Sequence, residues 1–387
     1  MKKLTLILSH LLVFVLAFGL ATAMQSNSLL QGLESYTKLE QLQDLIEERF
    51  IGEADTTAME DAAAAAMVAS LDDEWSYYIS AAEYDSYQDQ MNNAYVGVGI
   101  TIALREDGYL DVMKVEQNGP AAAAGIQPGD ILIKADGQDC AELGVSGTGN
   151  VVRGEEGTTV ELTLKRGDKE IVLKVERKYF EVTVAEGKML DNGIGLVTIY
   201  NFDERCADET IAAVEDLLNQ GARGLIFDVR NNPGGYKDEL VKILDYLLPE
   251  GVLFRSEYYD GSTSEDKSDS DCLDIPMAVL VNGESYSAAE FFAAALMEYD
   301  AAVVVGEQTY GKGYFQQTYP LSDGSAVGLS VGKYYTPNGE NLAGVGITPD
   351  VQVEVDDETF LKIYYSQVEW QEDPQILAAI ETLKTGN

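Results

Sequence analysis

Two serines and a lysine pose the first chemical question. The stretch "VNGESYSAAEFFAAAL" (281–296) follows an apolar strand, "PMAVLVNG", through a turn holding Ser285 and Ser287 into an alanine-rich helix. A serine at a strand-to-helix turn is placed like a nucleophile, although either serine serves equally well as a helix cap. The usual base is histidine, but the only histidine is His10, inside an apolar N-terminal segment. Lys312, in "GEQTYGKGYFQQ" (306–317), is flanked by glycines in a turn after another apolar strand. A lysine is a base only when neutral, so its pKa must fall several units below about 10.4, which burial can achieve. It can then take a serine's proton near neutral pH. Taken alone, a solvated turn lysine is the commoner case. The third piece, "DVRNNPGGY" (228–236), ends a strand with Gly234 and Gly235. Consecutive glycines present backbone N–H groups to a developing oxyanion without side-chain obstruction.

A phosphate-binding loop competes for the lysine stretch. "GEQTYGK" satisfies the first seven positions of that motif, but Gly313 stands where a Ser or Thr should ligate magnesium. The following "YFQQTYP" does not look like the helix that should receive the phosphate. Nucleotide chemistry is set aside. The formal net charge of −40 repels nucleic acid and anionic lipid headgroups. Cys140, Cys206 and Cys272 are far apart and form no CxxC, so no metal site or cofactor is expected.

The elements that must position these groups follow from periodicity. The start, "MKKLTLILSHLLVFVLAFGLATAMQ", has a basic tip, an apolar run and a small-residue "ATA" pattern. It reads as a cleaved signal or an uncleaved membrane anchor, with the remaining chain outside the cytoplasm either way. Residues 28–90 read as helical. From about Ala94 short strands and glycine turns suggest a β-rich domain ending near Lys178. From Phe180 strands alternate with helices, and "GIGLVTIY", "GLIFDVR", "MAVLVNG", "AAVVVGE" and "AVGLSVGKYYT" suggest a sheet buried on both faces. Residues 256–271 read as an exposed loop. The tail from Asp356 reads as helical and packed on the surface.

Taken in order, "RNNPGG", "VNGESYSAAE", "GEQTYGKGYFQ" and "NLAGVGITPDV" resemble the C-terminal processing (tail-specific) serine peptidases. The resemblance runs from "LDDEWSYY" through Val351. It implies Ser287 as nucleophile, with Ser285 second, and Lys312, 25 positions later, as base. It implies Gln316 as the residue that orients the lysine, and an oxyanion hole from the N–H of Ala288 plus that of Gly234 or Gly235. Tyr286 and the "YF" before Gln316 depart from the family pattern and add bulk near the site.

The β-rich domain looks like a PDZ domain. Its carboxylate-binding loop would be "YVGVGI", with Tyr95, Val96, Gly97, Val98, Gly99 and Ile100 gripping a chain terminus beside an open strand edge. Arg153 either couples this domain to the active site or pairs with acidic neighbours, and the habit of surface arginines favours the pairing.

The expected fold is a mixed α/β multidomain chain. A crotonase-like α/β protease core carries an inserted β-rich PDZ domain and an N-terminal helical segment. The divisions are a leader (1–24), a helical region (25–90), the PDZ domain (91–178), the core (179–355) and a helical tail (356–387). The resemblance implies an extracytoplasmic serine endopeptidase, secreted or anchored, that acts on proteins or peptides with free, apolar C-termini. The N-terminal helices would be a homodimer arm or a packed cap. Two other classes fit parts of the chain: a catalytically inactive PDZ scaffold that binds C-terminal tails, and a crotonase-like enzyme handling acyl thioesters.

Overall fold

The computed structural model describes residues 38–385. The expected leader lies outside the described residues. Among the described residues no helix is long and apolar enough to cross a membrane. The chain divides into two compact units, Met1–Asp72 and Asp73–Asn387. In the first, residues 38–49 are helical and α1 (Thr56–Ala69) follows. Asp55 caps α1 by accepting from the Ala58 N–H at 3.1 Å, and the alanine run supplies strong helix propensity.

The helical stretch expected up to residue 90 is interrupted. In the second unit, β1 (Tyr77–Ile79) pairs with a later strand, Ala326–Tyr335, before α2 (Ala81–Met91) begins. The aromatic run "WSYYI" accounts for the change, because aromatic side chains suit a pleated surface.

The β-rich part then runs through β2 (Ala94–Gly97), β3 (Ile100–Leu104), β4 (Leu110–Val115), α3 (Pro120–Ala123), β5 (Ile131–Ala135), β6 (Gln138–Asp139), α4 (Cys140–Val152), β7 (Thr159–Arg166) and β8 (Lys169–Glu176). β9 (Lys178–Glu181) returns to pair with β2. The sheet order is β3-β4-β5-β7-β8, with β6 beside β5, so β3 is an edge strand. Alternation builds its core. Val160, Leu162 and Leu164 of β7 are wholly buried with Leu110, Val112 and Leu132, while Glu161 and Lys165 face water.

The remaining elements are β10 (Ala185–Met189), β11 (Gly195–Ile199), α5 (Cys206–Asn219), β12 (Leu225–Asp228), α6 (Lys237–Leu247), β13 (Gly251–Tyr258), β14 (Thr263–Ser268), β15 (Met277–Val281), α7 (Ala288–Glu298), β16 (Ala302–Gly306), β17 (Tyr314–Pro320), β18 (Ala326–Tyr335), β19 (Val351–Gln352), α8 (Asp357–Tyr364) and α9 (Pro374–Thr385). Six strands form a sheet in the order β10-β11-β12-β15-β16-β19, parallel except for β10. β12 and β15 are buried along their whole length, which is why they read as unbroken apolar runs. Phe227, Val279 and Val281 share a core with α5, α6 and α7; Ile226, Ala278 and Leu280 share another with Ile376, Ala379 and Ile380 of α9.

The tail therefore does more than rest on the surface. It closes the second face of the sheet. Its anchor is polar and buried: Arg230, just after β12, bonds Asp228, Asp373 (2.9 Å) and Gln375 (2.8 Å).

A separate five-stranded antiparallel sheet holds β17, β18, β1, β13 and β14. Two expectations change here. "AVGLSVGKYYT" is β18 and belongs to this sheet, not the parallel one. A Cβ at Gly328 would lie 2.3 Å from the Tyr77 ring, so glycine is what lets the ring pack over β18 where β1 pairs with it. Residues 256–271, expected as a loop, form most of the β13–β14 hairpin. Its turn is closed by Tyr258 N–H to the Ser262 carbonyl, and Asp260 accepts from Ser262. Polarity concealed the strands because ion pairs such as Arg255–Glu265 and Lys237–Asp266 decorate them.

Candidate active site

Parallel β12, β15 and β16 end at one edge of the sheet, so the loops that follow them meet there. These loops are the three stretches singled out for chemistry. β15 leads into the serine turn, β12 into the double-glycine turn and β16 into the lysine turn.

The serine turn is locked from below. Ser285 is fully buried; its hydroxyl donates to the Val229 carbonyl at 2.7 Å and accepts from the Asn282 N–H at 3.1 Å. Asn282 and Asn231 exchange two bonds of 2.9 Å, tying this turn to the double-glycine turn. Ser287 sits at the N-cap of α7 with φ +59° and ψ −124°, a conformation a non-glycine residue holds only under constraint. It is 8% exposed. The N-terminus of α7 gathers backbone N–H groups and partial positive charge beside it.

Gly234 lies against this turn. A Cβ there would come 2.7 Å from Ser287 Cβ and 2.9 Å from the Ala288 nitrogen, and its φ is +89°. The Gly234 N–H donates to Asn232 Oδ1 at 2.8 Å. Phe202 and Gly235 bridge in parallel through Phe202 N–H to the Gly234 carbonyl and Tyr236 N–H to the Phe202 carbonyl, both 2.7 Å. That pattern leaves the Gly235 N–H outside the bridge.

Lys312 is half-buried, and its amine nitrogen lies 4.0 Å from the centroid of the Trp75 ring. Burial lowers its pKa from 10.5 to about 8, against the upward pull of Asp73, Glu290 and Glu74. Ser287, Lys312, Gln316, Gly234 and Gly235 line one cleft of about 740 Å³. Gln316 Nε2 donates to Ser330 Oγ at 3.0 Å. Of the two bulky departures, Phe315 stacks on Tyr334 and lines the cleft, while Tyr286 packs near Trp75 and Tyr310.

Sequence reasoning missed two residues. Glu290 is wholly buried and accepts four bonds: from Ser287 N–H (3.0 Å), Lys312 N–H (2.8 Å), Gly311 N–H (2.7 Å) and Thr309 Oγ1 (2.6 Å). It thereby joins the serine turn to the lysine turn. Burial raises its pKa, opposed by those same bonds. The spacing Ser287-x-x-Glu290 is a capping box and was the available signal. Trp75 had none, because its distance from Lys312 along the chain is too great for any local pattern. Among the described residues no three His, Cys, Asp or Glu side chains gather as a metal site.

The model of peptidase family S41 matches residues 193–353, and that of the PDZ domain matches residues 96–176. The chain is 32% identical over 366 residues to the carboxy-terminal processing protease CtpA of Bacillus subtilis, covering 92% of this chain and 78% of that protein. The chain belongs to peptidase family S41. This S41 chain is also 35% identical over 300 residues to a probable CtpA-like serine protease of Staphylococcus haemolyticus, covering 76% of this chain and 60% of that one. Among solved structures it resembles a photosystem II D1 C-terminal processing protease, with 26% identity and a TM-score of 0.50 over 81% of this chain and 86% of that one. A putative S41 protease from Bacteroides fragilis, 17% identical, shares the fold with a TM-score of 0.60 over 87% and 92% of the two chains. The family is one of serine-type peptidases.

The PDZ domain of this S41 chain carries a groove of about 700 Å³ along edge strand β3 and helix α4. Tyr95, Val96, Gly97, Val98, Gly99 and Ile100 all line it. So does Arg153, whose expected acidic pairing is not formed among the described residues. The nearby Glu156 carboxylate accepts from the Tyr179 N–H instead.

The contact at Gly234 makes a test of this S41 site. Gly234→Ala is expected to lower kcat about 100-fold or more, because the new methyl must displace Ser287 or Ala288 by a sizeable fraction of an ångström. The positive φ adds strain of about 1 kcal/mol, lowering Tm by about 1–2 °C in a chain of this size. Steady-state kinetics and a thermal melt on the same preparation check both.

Proposed function

We propose that this chain is an extracytoplasmic serine endopeptidase that selects proteins by their free C-termini and cleaves them through a Ser287–Lys312 acyl-enzyme mechanism. The observation that carries the reading is the meeting of a constrained serine and a dehydrated lysine in one cleft, in a chain whose only histidine lies in its leader-like segment. The PDZ domain supports the choice of substrate. Its groove is lined by Val98, Ile100, Ile102, Val145 and Val152, so it suits an apolar tail added as a strand to β3. The leader-like start supports the location.

In this reading neutral Lys312 takes the Ser287 proton as Oγ bonds to the scissile carbonyl carbon. The N–H groups of Ala288 and Gly235 hold the oxyanion, the Gly234 N–H being engaged by Asn232. The Lys312 ammonium returns its proton to the leaving amine as the C–N bond breaks. Neutral Lys312 then activates water, which hydrolyses the ester and frees Ser287.

The test uses an unfolded protein with an apolar tail, its C-terminally amidated form, and the Ser287→Ala enzyme. Cleavage by the wild type and none by Ser287→Ala is expected. Amidation should raise KM tenfold or more, because it removes the charge the PDZ loop grips. Cleavage by Ser287→Ala at the wild-type rate would overturn the mechanism. Tail binding without cleavage by the wild type would favour the scaffold.

A further inference from the structure

Trp75 belongs to none of the stretches singled out for chemistry, yet its ring lies against the Lys312 amine. We propose that Trp75 is the positioning residue of the general base, seating the Lys312 side chain in the Ser287 cleft and holding water away from its nitrogen. This rests on the reading of Lys312 as the base.

Three observations carry it. First, Trp75 is one wall of an aromatic enclosure. Its ring lies 5.6 Å from Tyr310, edge-on, and 6.1 Å from Tyr286, and those two are 5.5 Å apart. Tyr286 adjoins Ser287, and Tyr310 stands two residues before Lys312, so the indole sits where the serine and lysine turns meet. Second, the strap bearing Trp75 is built to hold still. The Asp73 carboxylate accepts from Trp75 N–H at 3.4 Å and from Ser76 Oγ, Ser76 Oγ accepts from Ser330 N–H at 3.1 Å, and β1 then joins β18.

Third, Gln316 is joined to this strap. Its amide donates to Ser330 Oγ at 3.0 Å, and the Ser330 N–H donates to Ser76 Oγ. The glutamine expected to orient Lys312 is thus tied, through Ser330 and Ser76, to the strap that carries Trp75.

The electrostatics have opposing parts. The face of an indole attracts an ammonium, and the carboxylates of Asp73, Glu74 and Glu290 do the same, all favouring the charged amine. Exclusion of water favours the neutral amine, and it prevails. Removing the ring should therefore readmit water and return the amine toward ordinary lysine behaviour.

The experiment titrates the Lys312 amine of the full-length chain by NMR of 13C-labelled lysine. A Ser287→Ala background prevents self-cleavage, and Lys312→Met identifies the signal. The wild-type midpoint should lie near 8, that of Trp75→Ala at least one unit higher, and that of Trp75→Phe between them. In active enzyme, Trp75→Ala should lower kcat/KM about tenfold or more at pH 7 and far less at pH 10, where most of the amine is neutral in either protein if the midpoint rises by about one unit, a pH-dependent loss that general destabilisation does not give. An unmoved midpoint, or equal losses at both pH values, would overturn the inference. If Trp75→Ala does not fold, Trp75→Phe with the wild-type midpoint overturns it as well. The reading of Lys312 as base fails on a different result, full activity of Lys312→Met, and the NMR midpoints still decide whether Trp75 governs the amine.

Discussion

Replacing Lys312 with alanine is expected to lower kcat/KM by about 10³-fold or more, with the remaining rate independent of pH between about 6 and 10. In the wild type, kcat/KM should rise with pH and level off above about 8, since only the neutral amine can accept the serine's proton. At pH 7 roughly one molecule in ten is in that form, and each further unit down costs about another tenfold. A limb near 10.5 would mean an ordinary, hydrated lysine and would count against the site. Stability should report the same group, and in the same direction with pH. The folded pKa lies below the unfolded one, so between about 8 and 10.5 the unfolded chain binds more protons. Stability therefore rises with pH across that window, and below it the dehydrated ammonium is a standing cost. Lys312→Met keeps the stem and removes the charge. It should be inactive yet more stable than the wild type at pH 7, by about 1–3 kcal/mol after discounting for partial exposure. Urea unfolding of both proteins at pH 7 and pH 10 checks the sign, and the gap should narrow at pH 10.

The second large effect is expected at Glu290. Its four donors are backbone or hydroxyl groups of the serine and lysine turns, and it is inaccessible to water. Glu290→Ala leaves buried N–H groups at Ser287, Gly311 and Lys312 without an acceptor, at about 1–3 kcal/mol each. The expected cost is about 3–5 kcal/mol, with kcat reduced to background because neither turn keeps its place. Glu290→Gln separates the two consequences. Its amide oxygen can stay between Ser287 and Lys312 while the NH₂ faces Thr309 and Gly311. Thr309 can accept a bond, but the Gly311 N–H cannot. Glu290→Gln should therefore lose about 1–3 kcal/mol of stability and keep measurable kcat, lowered about 10- to 100-fold. Kinetics well below Tm, together with melts, check this. Equal activity in Glu290→Ala and wild type would show that the carboxylate does not organise the site.

Chain order alone was enough for much of this. Ser287, Lys312 and the 234–235 turn were legible because each ends a strand that reads as an unbroken apolar run, and parallel strands must deliver such ends to one edge of a sheet. The β-rich domain was legible from its alternation and its glycine turns. The β13–β14 hairpin was not, because β14 is a polar edge strand and the buried Leu253 and Phe254 of β13 lie before the stretch whose polarity read as a loop. The tail's role was not, because Ile376, Ala379 and Ile380 look like any amphipathic helix until the second face of the sheet is seen to need them. Glu290 was half legible: its spacing marks a helix cap, but its bonds to Gly311 and Lys312 cross between turns. The state of Lys312 depends wholly on folding. Hydration is set by what surrounds an atom, and Trp75 comes to the lysine from the far side of the intervening PDZ domain along the chain.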